Sequence, residues 1–85
     1  MNAIKTLDDA VCVVTQRNAA YGDPATSLAA IAARWSLTLG QTVTPTQVAL
    51  CMIDLKLARL AHDPKHRDSV LDVIGYAALL PEVAP

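Results

Sequence analysis

Glycine is scarce in this chain, with three among 85 residues, at positions 22, 40 and 75. That leaves no glycine-rich loop able to cradle a phosphate through successive backbone N–H groups. Cysteine is rarer still: Cys12 and Cys51 stand alone, without the paired spacing of a metal site. Both fall in apolar helical pattern, so buried free thiols in a reducing compartment are expected. An excess of charge of one sign is missing too. Seven basic residues against eight acidic ones leave a net charge of −1, which argues against a strong nonspecific binder of long nucleic acid. No uninterrupted apolar run exceeds six residues, far short of the roughly 20 that span a bilayer, so no membrane partner is expected. The first residues lack the basic-then-apolar layout of a secretory leader, and a cytoplasmic location is expected. No Ser–His–Asp or Cys–His nucleophile arrangement is legible, so no catalytic residue, metal or cofactor is assigned. β-branched residues are scattered and no hairpin dipeptide occurs, which argues against strands.

What the chain has in abundance is apolar surface. Hydrophobic residues make up 53% of it, above the ~45–50% typical of soluble domains. A single domain over residues 1–85 is expected, and a domain this small buries only about 60% of its unfolded surface. The excess apolar faces point to a homo-oligomer.

The spacing predicts an all-α, compact four-helix domain with helices near 7–20, 24–39, 45–62 and 68–80. Thr6 suits the start of the first helix, with Asp8 and Asp9 at its positive end. Leu7, Val11, Val14 and Asn18 mark one face, widened by Ala10 and Val13. Asp23 followed by Pro24 suits the cap and first position of the second helix, and Gly40 its stop. Leu28, Ile31, Trp35 and Leu39 form its buried stripe. Thr44-Pro45-Thr46-Gln47 reads as a capping box with proline at the first helical position. Val48 to Ile53 is apolar all round, which predicts a third helix covered on several sides. Asp63-Pro64 ends it, and Pro81 is the expected stop of the fourth.

The segment from Lys56 to Tyr76 holds seven of the fifteen charged side chains. Lys56 and Arg59 stand at i, i+3 and Asp68 and Asp72 at i, i+4, on either side of the Asp63-Pro64 break. If the two helices form an antiparallel hairpin, level residues have numbers summing to roughly 128. Lys56 then faces Asp72, and Arg59 faces Asp68 or Ser69. These are either ion pairs that set the hairpin register or the polar floor of a ligand site. Buried ion pairs stabilise poorly, and an Arg–Lys mouth suits a phosphate. Gly75 beside Tyr76 permits close approach of a backbone or a flat ligand.

A second cluster lies at the first turn. Arg17 can hold a phosphate, Tyr21 can stack a base, and the N-terminus of the second helix can attract an anion. Asp23, as the cap there, competes with such an anion. Equally, this segment is an ordinary interhelical turn. Trp35 is a core residue or a stacking platform, and His66 a loop, capping or ligand-donor residue. His62 and His66 flank the turn across a proline, which is not a helical metal pair.

The order R-x3-Y-G-D-P, A-x-R-W-S, V-T-P-T-Q-V-A-L and K-x2-R-L-x5-H-R-D-S-x2-D-x2-G-Y-A spans Arg17 to Ala77. It resembles a family of short phage and prophage proteins of unassigned function. More distantly, the hairpin is similar to the all-α nucleotide pyrophosphatases of the MazG kind, which are oligomeric and use magnesium. Their ligands come as E-x2-E and E-x2-D motifs. Asp72 matches the final aspartate, but Ser69 stands three before it, and Lys56-x2-Arg59 puts bases where the first motif needs acids. Magnesium requires several hard oxygen ligands, so the resemblance implies nucleotide binding rather than hydrolysis.

The expected function is therefore binding and sequestration of a phosphorylated nucleotide by a homo-oligomer, in the host cytoplasm if phage-encoded. The ligand could be a cyclic nucleotide or an ADP-ribose-type host immune signal, and the protein an anti-defence sponge. Lys56, Arg59 and Arg17 would contact phosphate. Tyr21, Tyr76 or Trp35 would stack a base, with Asp68, Asp72 and His66 as further ligand contacts. The alternatives are a magnesium-dependent pyrophosphatase using Asp68, Asp72 and Asp54, or a non-catalytic helical interaction module.

Overall fold

The computed structural model describes residues 2–85, and within them the chain is all helix and loop. Four helices follow in order: α1 (Ala3–Tyr21), α2 (Pro24–Leu39), α3 (Pro45–His62) and α4 (Arg67–Val83). The expected bounds of α2 and α3 hold to the residue, because each start carries an unambiguous cap. Asp23 accepts from the Thr26 N–H at 3.2 Å. Thr44 Oγ1 accepts from the Gln47 N–H at 3.1 Å, while Gln47 Oε1 accepts from the Thr44 N–H at 2.9 Å, the reciprocal capping box. Gly40 closes α2 at φ 70°, a left-handed conformation that glycine adopts without steric cost.

α1 starts earlier than expected. Asn2 Oδ1 accepts from the Lys5 N–H at 2.8 Å and so caps the helix four residues before Thr6. The Thr6 hydroxyl instead donates to the Asn2 carbonyl at 2.9 Å. α4 also overruns its expected stop. Pro81 lies inside the helix, which ends with the Ala84 N–H bonded to the Leu80 carbonyl at 2.9 Å. A proline in the last turn removes one N–H but leaves the following bonds intact.

α3 and α4 pack most extensively, in antiparallel sense. Lys56 meets Asp72 and Thr46 meets the Val83 carbonyl, which keeps the register expected for the hairpin. α2 lies against α3 and more lightly against α4. Its loop to α3 is pinned by Ser36, whose hydroxyl accepts from the Val43 N–H at 2.8 Å. α1 packs mainly on α4 and hardly touches α2. Asp9 meets Arg67 and Arg17 meets Asp72, so α1 runs alongside α4 in the same general sense. Arg67, then Lys5, hold the Asp9 carboxyl below its usual value of 3.8 by hydrogen bonding.

The core is small. Leu28, Ala32, Val48 and Ala49 form its buried centre, with Ile31, Trp35, Tyr76 and Leu79 packed around it. Burying a side chain such as Val48 contributes about 1.5–3 kcal/mol, and few large ones are fully buried here. Four expectations fail for this reason. Leu39, expected in the buried stripe of α2, is exposed. Leu7 and Val11 are exposed, because α1 has one neighbour to cover it and turns Ala10, Val13 and Val14 inward. α3 is not covered on several sides: Leu50, Leu55 and Leu57 face outward. Cys12 and Cys51, which sit beside Val11 and Leu50, are exposed free thiols rather than buried ones. Among the described residues no helix is long and apolar enough to cross a membrane.

Candidate functional site: a buried carboxylate between two clefts

Asp72 is the centre of the polar structure. It projects from the second turn of α4 and is 5% exposed. Its Oδ1 accepts from Arg17 Nη2 of α1 at 2.6 Å, and its Oδ2 lies 3.1 Å from Lys56 Nζ of α3. One carboxylate thus ties three helices. Lys56 is largely buried at 14% side-chain exposure, whereas Arg17 is half exposed at 45%. The arrangement carries two positive charges against one negative.

Helical spacing explains how α1 reaches this point. Val14, Arg17, Asn18 and Tyr21 recur at i, i+3, i+4 and i+7 and share one face. Gly75 on α4 faces this part of α1: a Cβ at that position would lie 3.4 Å from Val14 Cγ2.

A cleft of about 410 Å³ opens on one side of the ion triad. α1 contributes Val14, Arg17, Asn18 and Tyr21; α2 contributes Pro24, Ser27, Leu28 and Ile31. Gly75, Tyr76 and Leu79 of α4 line its floor, with Lys56 and Asp72 at the polar end. It is therefore an apolar slot with two cations at one end and two tyrosines. Tyr21 is 76% exposed at the rim, and Tyr76 is half-buried against the core. Mixed clefts of this size suit small ligands, the apolar lining supplying burial and the few polar groups orientation. Asp23 stands at the adjoining start of α2, where it caps Thr26 and so occupies part of the donor set an anion would use.

A second cleft, of about 360 Å³, lies on the other side of the same triad. Arg17, Lys56 and Asp72 line it too, joined by Val13, Gln16, Arg59, His66, Asp68 and Leu71. Arg59 and Asp68 do not form the ion pair expected for them. Among the described residues Arg59 makes no ion pair, and Asp68 is 81% exposed and reaches only Arg67, at 4.0 Å. Asp68 shares a face with the buried Asp72 and Gly75 but lies in the first turn of α4, at the open end of the hairpin, where it faces solvent. His66 is the cap of α4: its Nδ1 accepts from the Ser69 N–H at 3.3 Å and shares a 2.7 Å hydrogen bond with the Ser69 hydroxyl.

Eight of the nine residues singled out from the sequence therefore line one cleft or the other. Trp35 lines neither; it packs against the core of α2 and α3. Asp54 sits on the outward face of α3, away from Asp68 and Asp72. Sequence reasoning passed over Gln16, Asn18, Ser27 and Ile31 as cleft residues. Asn18 shares a face with Arg17 and Tyr21 and was recoverable from spacing; the α2 residues were not, since nothing local shows which helix α1 would face.

Fold and site define a small all-α domain whose cleft is built over a buried, doubly paired carboxylate. The chain belongs to the family described as a domain of unknown function, DUF6378, whose model matches residues 5–84. It is 41% identical over 66 residues to the Gene 55 protein of Mycobacterium phage L5, covering 76% of this chain and 42% of that one. It is 35% identical over 68 residues to the Gene 55 protein of Mycobacterium phage D29, covering 80% of this chain and 45% of that one. The chain thus spans less than half the length of these relatives, and it is a phage-type protein by this similarity. No solved structure matches it.

Proposed function

We propose that this phage-type domain binds and sequesters a phosphorylated nucleotide as a homo-oligomer. The observation that carries the reading is the convergence of Arg17, Lys56, Tyr21 and Tyr76 on one apolar cleft. A phosphate takes the place beside Arg17 and Lys56, whose excess positive charge Asp72 only half offsets. A base lies along the apolar walls against a tyrosine. Cyclic nucleotides and ADP-ribose-type signals are both in this class, and retention of such a host signal would make the protein an anti-defence sponge.

Self-association is supported by shape. The accessible surface is 5703 Å², against about 4,900 Å² for a typical monomer of 9.0 kDa. The radius of gyration is 13.5 Å, against about 12 Å for a compact domain of this length. Ile4, Leu7 and Val11 on α1, Leu37 and Leu39 on α2, and Leu50, Leu55 and Leu57 on α3 are aliphatic side chains left uncovered.

The MazG-like pyrophosphatase reading has less support. Both Asp72 oxygens already carry cations, Asp68 faces solvent and Asp54 lies on another surface, so among the described residues no set of hard oxygen ligands converges on magnesium. The interaction-module reading is favoured by the uncovered leucines alone.

The test is a thermal-shift screen against mononucleotides, cyclic di- and trinucleotides and ADP-ribose compounds, with and without magnesium, followed by heat release and chromatography. A raised Tm with intact ligand recovered is expected, and Arg17→Gln should reduce the shift. Recovery of a cleaved product would replace sequestration with catalysis, and no shift with any compound would leave the interaction module.

A further inference from the structure

The two clefts are not independent. Arg17, Lys56 and Asp72 line both, so the triad is a bar with a cavity on either side. The sides differ in chemistry: one is walled by aliphatic side chains and tyrosines, the other by Arg59, His66 and Gln16. Arg17, half exposed, is the part of the bar a ligand could lie across.

Charge distinguishes the sides further. In the bar, two cations share one carboxylate, leaving one positive charge in excess. In the polar cleft, Arg59 adds a further cation with no ion-pair partner among the described residues, and Asp68, also on the lining, adds a carboxylate that reaches only Arg67 at 4.0 Å. That carboxylate is turned to solvent. One phosphate beside the bar would leave Arg59 unanswered; a second phosphate on the far side would meet it, and a guanidinium suits that role as a planar fork.

We propose that the two clefts are halves of one site, and that its ligand is a nucleotide carrying two phosphate groups, one on each side of the Arg17–Asp72–Lys56 bar. This rests on the nucleotide reading above and narrows its ligand class. The ring occupies the apolar half and the second phosphate the half lined by Arg59 and His66. Two arrangements supply this chemistry: phosphates joined directly, or phosphates on two positions of one sugar.

The experiment is calorimetric titration of the full chain with nucleoside 5′-monophosphates, 5′-diphosphates and 3′,5′-bisphosphates of adenine, guanine, cytosine and uracil, at low salt. At least one two-phosphate series is expected to bind about tenfold tighter than the monophosphate of the same base, a difference of about 1.4 kcal/mol. Which series does so identifies whether the phosphates are adjacent or separated by the sugar. Arg59→Gln should bring that ratio toward one, and its unfolding curve verifies that the fold is kept. Equal affinities for one and two phosphates, or a ratio unmoved by Arg59→Gln, would overturn the bipartite site while leaving nucleotide binding in place. No binding in any series would overturn the bipartite site, and the nucleotide reading would then rest on the thermal-shift screen with cyclic nucleotides and ADP-ribose compounds.

Discussion

Arg17 and Asp72 lie 55 residues apart in the chain and 2.6 Å apart in space. Sequence spacing pairs Asp72 with Lys56 and assigns Arg17 to a separate loop cluster; their meeting merges two candidate sites into one. Whatever occupies the clefts does so against a carboxylate that is already engaged on both oxygens.

Removing that carboxylate should be costly. Asp72→Ala leaves Lys56 largely buried without a counter-charge, and breaking such a pair costs about 3 kcal/mol. Lys56→Met keeps the Arg17 contact and fills similar volume, so a loss of about 1 kcal/mol is expected. Urea unfolding of both variants checks this. Equal losses would mean that Arg17 contributes nothing to holding Asp72.

His66→Ala should destabilise the protein by about 1–2 kcal/mol, through a lost cap and a Ser69 hydroxyl left buried without its partner. Ser69 is fully buried, and the ring nitrogen is the partner of both its hydroxyl and its N–H. His66→Asp restores a capping acceptor and should recover most of the loss of Tm. Absence of any recovery would point to a role for the imidazole beyond capping.

Gly75→Ala should stabilise the fold and harm the cleft. Alanine in a helix is favoured over glycine by about 0.8–1.0 kcal/mol, and the added Cβ meets Val14 Cγ2 in ordinary contact at 3.4 Å. The same methyl narrows the floor of the apolar cleft. The expected pair of results is a higher Tm with weaker nucleotide binding, and unchanged binding would place the ligand elsewhere.

Acid should loosen α1. The Asp9 carboxyl is held below 3.8, first by its hydrogen bond to Arg67 and then by Lys5. A depressed carboxylate contributes stability that is complete above its unfolded value and is lost as pH falls through the lower folded value. Stability should therefore drop below about pH 4, and Asp9→Asn should flatten that part of the profile. Denaturation curves between pH 2.5 and pH 6 give the comparison.

Light scattering after size exclusion should find an oligomer, with α3 contributing to its interface. Leu50→Asp combined with Leu57→Asp adds charges to the outward face of α3 that already carries Asp54 and should shift the protein to monomer with its helical content retained. An unaltered mass would exclude that face.

Much of the fold was legible because the helix ends carry their own chemistry. Asp23-Pro24, Gly40 and Thr44-Pro45-x-Gln47 each satisfy orphan backbone groups locally, and α2 and α3 begin and end where those residues dictate. The ends that were misread had rival signals: Asn2 out-competes Thr6 as a cap, and Pro81 is tolerated in a last turn. Burial was legible least. Leu7, Val11, Leu50 and the two cysteines have the pattern of covered positions, yet one chain supplies too few neighbours to cover them. In the site, Lys56–Asp72 follows from hairpin register alone. Arg59 and Asp68 match the same spacing and stay apart, since register sets which residues are level and not how well the last turns beside the loop are covered.

The two ion pairs between α1 and α4 have opposite order. α1 places an acid before a base, Asp9 then Arg17; α4 places a base before an acid, Arg67 then Asp72. If α1 docked upside down, Arg17 would approach Arg67 and Asp9 would approach Asp72, so repulsion would replace attraction at both ends. With Ala10 as the only fully buried residue of α1, its polarity on the bundle is written in charge more than in packing. Added salt screens exposed charges beyond roughly 10 Å at 0.1 M and closer as concentration rises. α1 is thus the helix whose seating should weaken first with ionic strength, and both clefts, each of which has α1 for a wall, would widen with it.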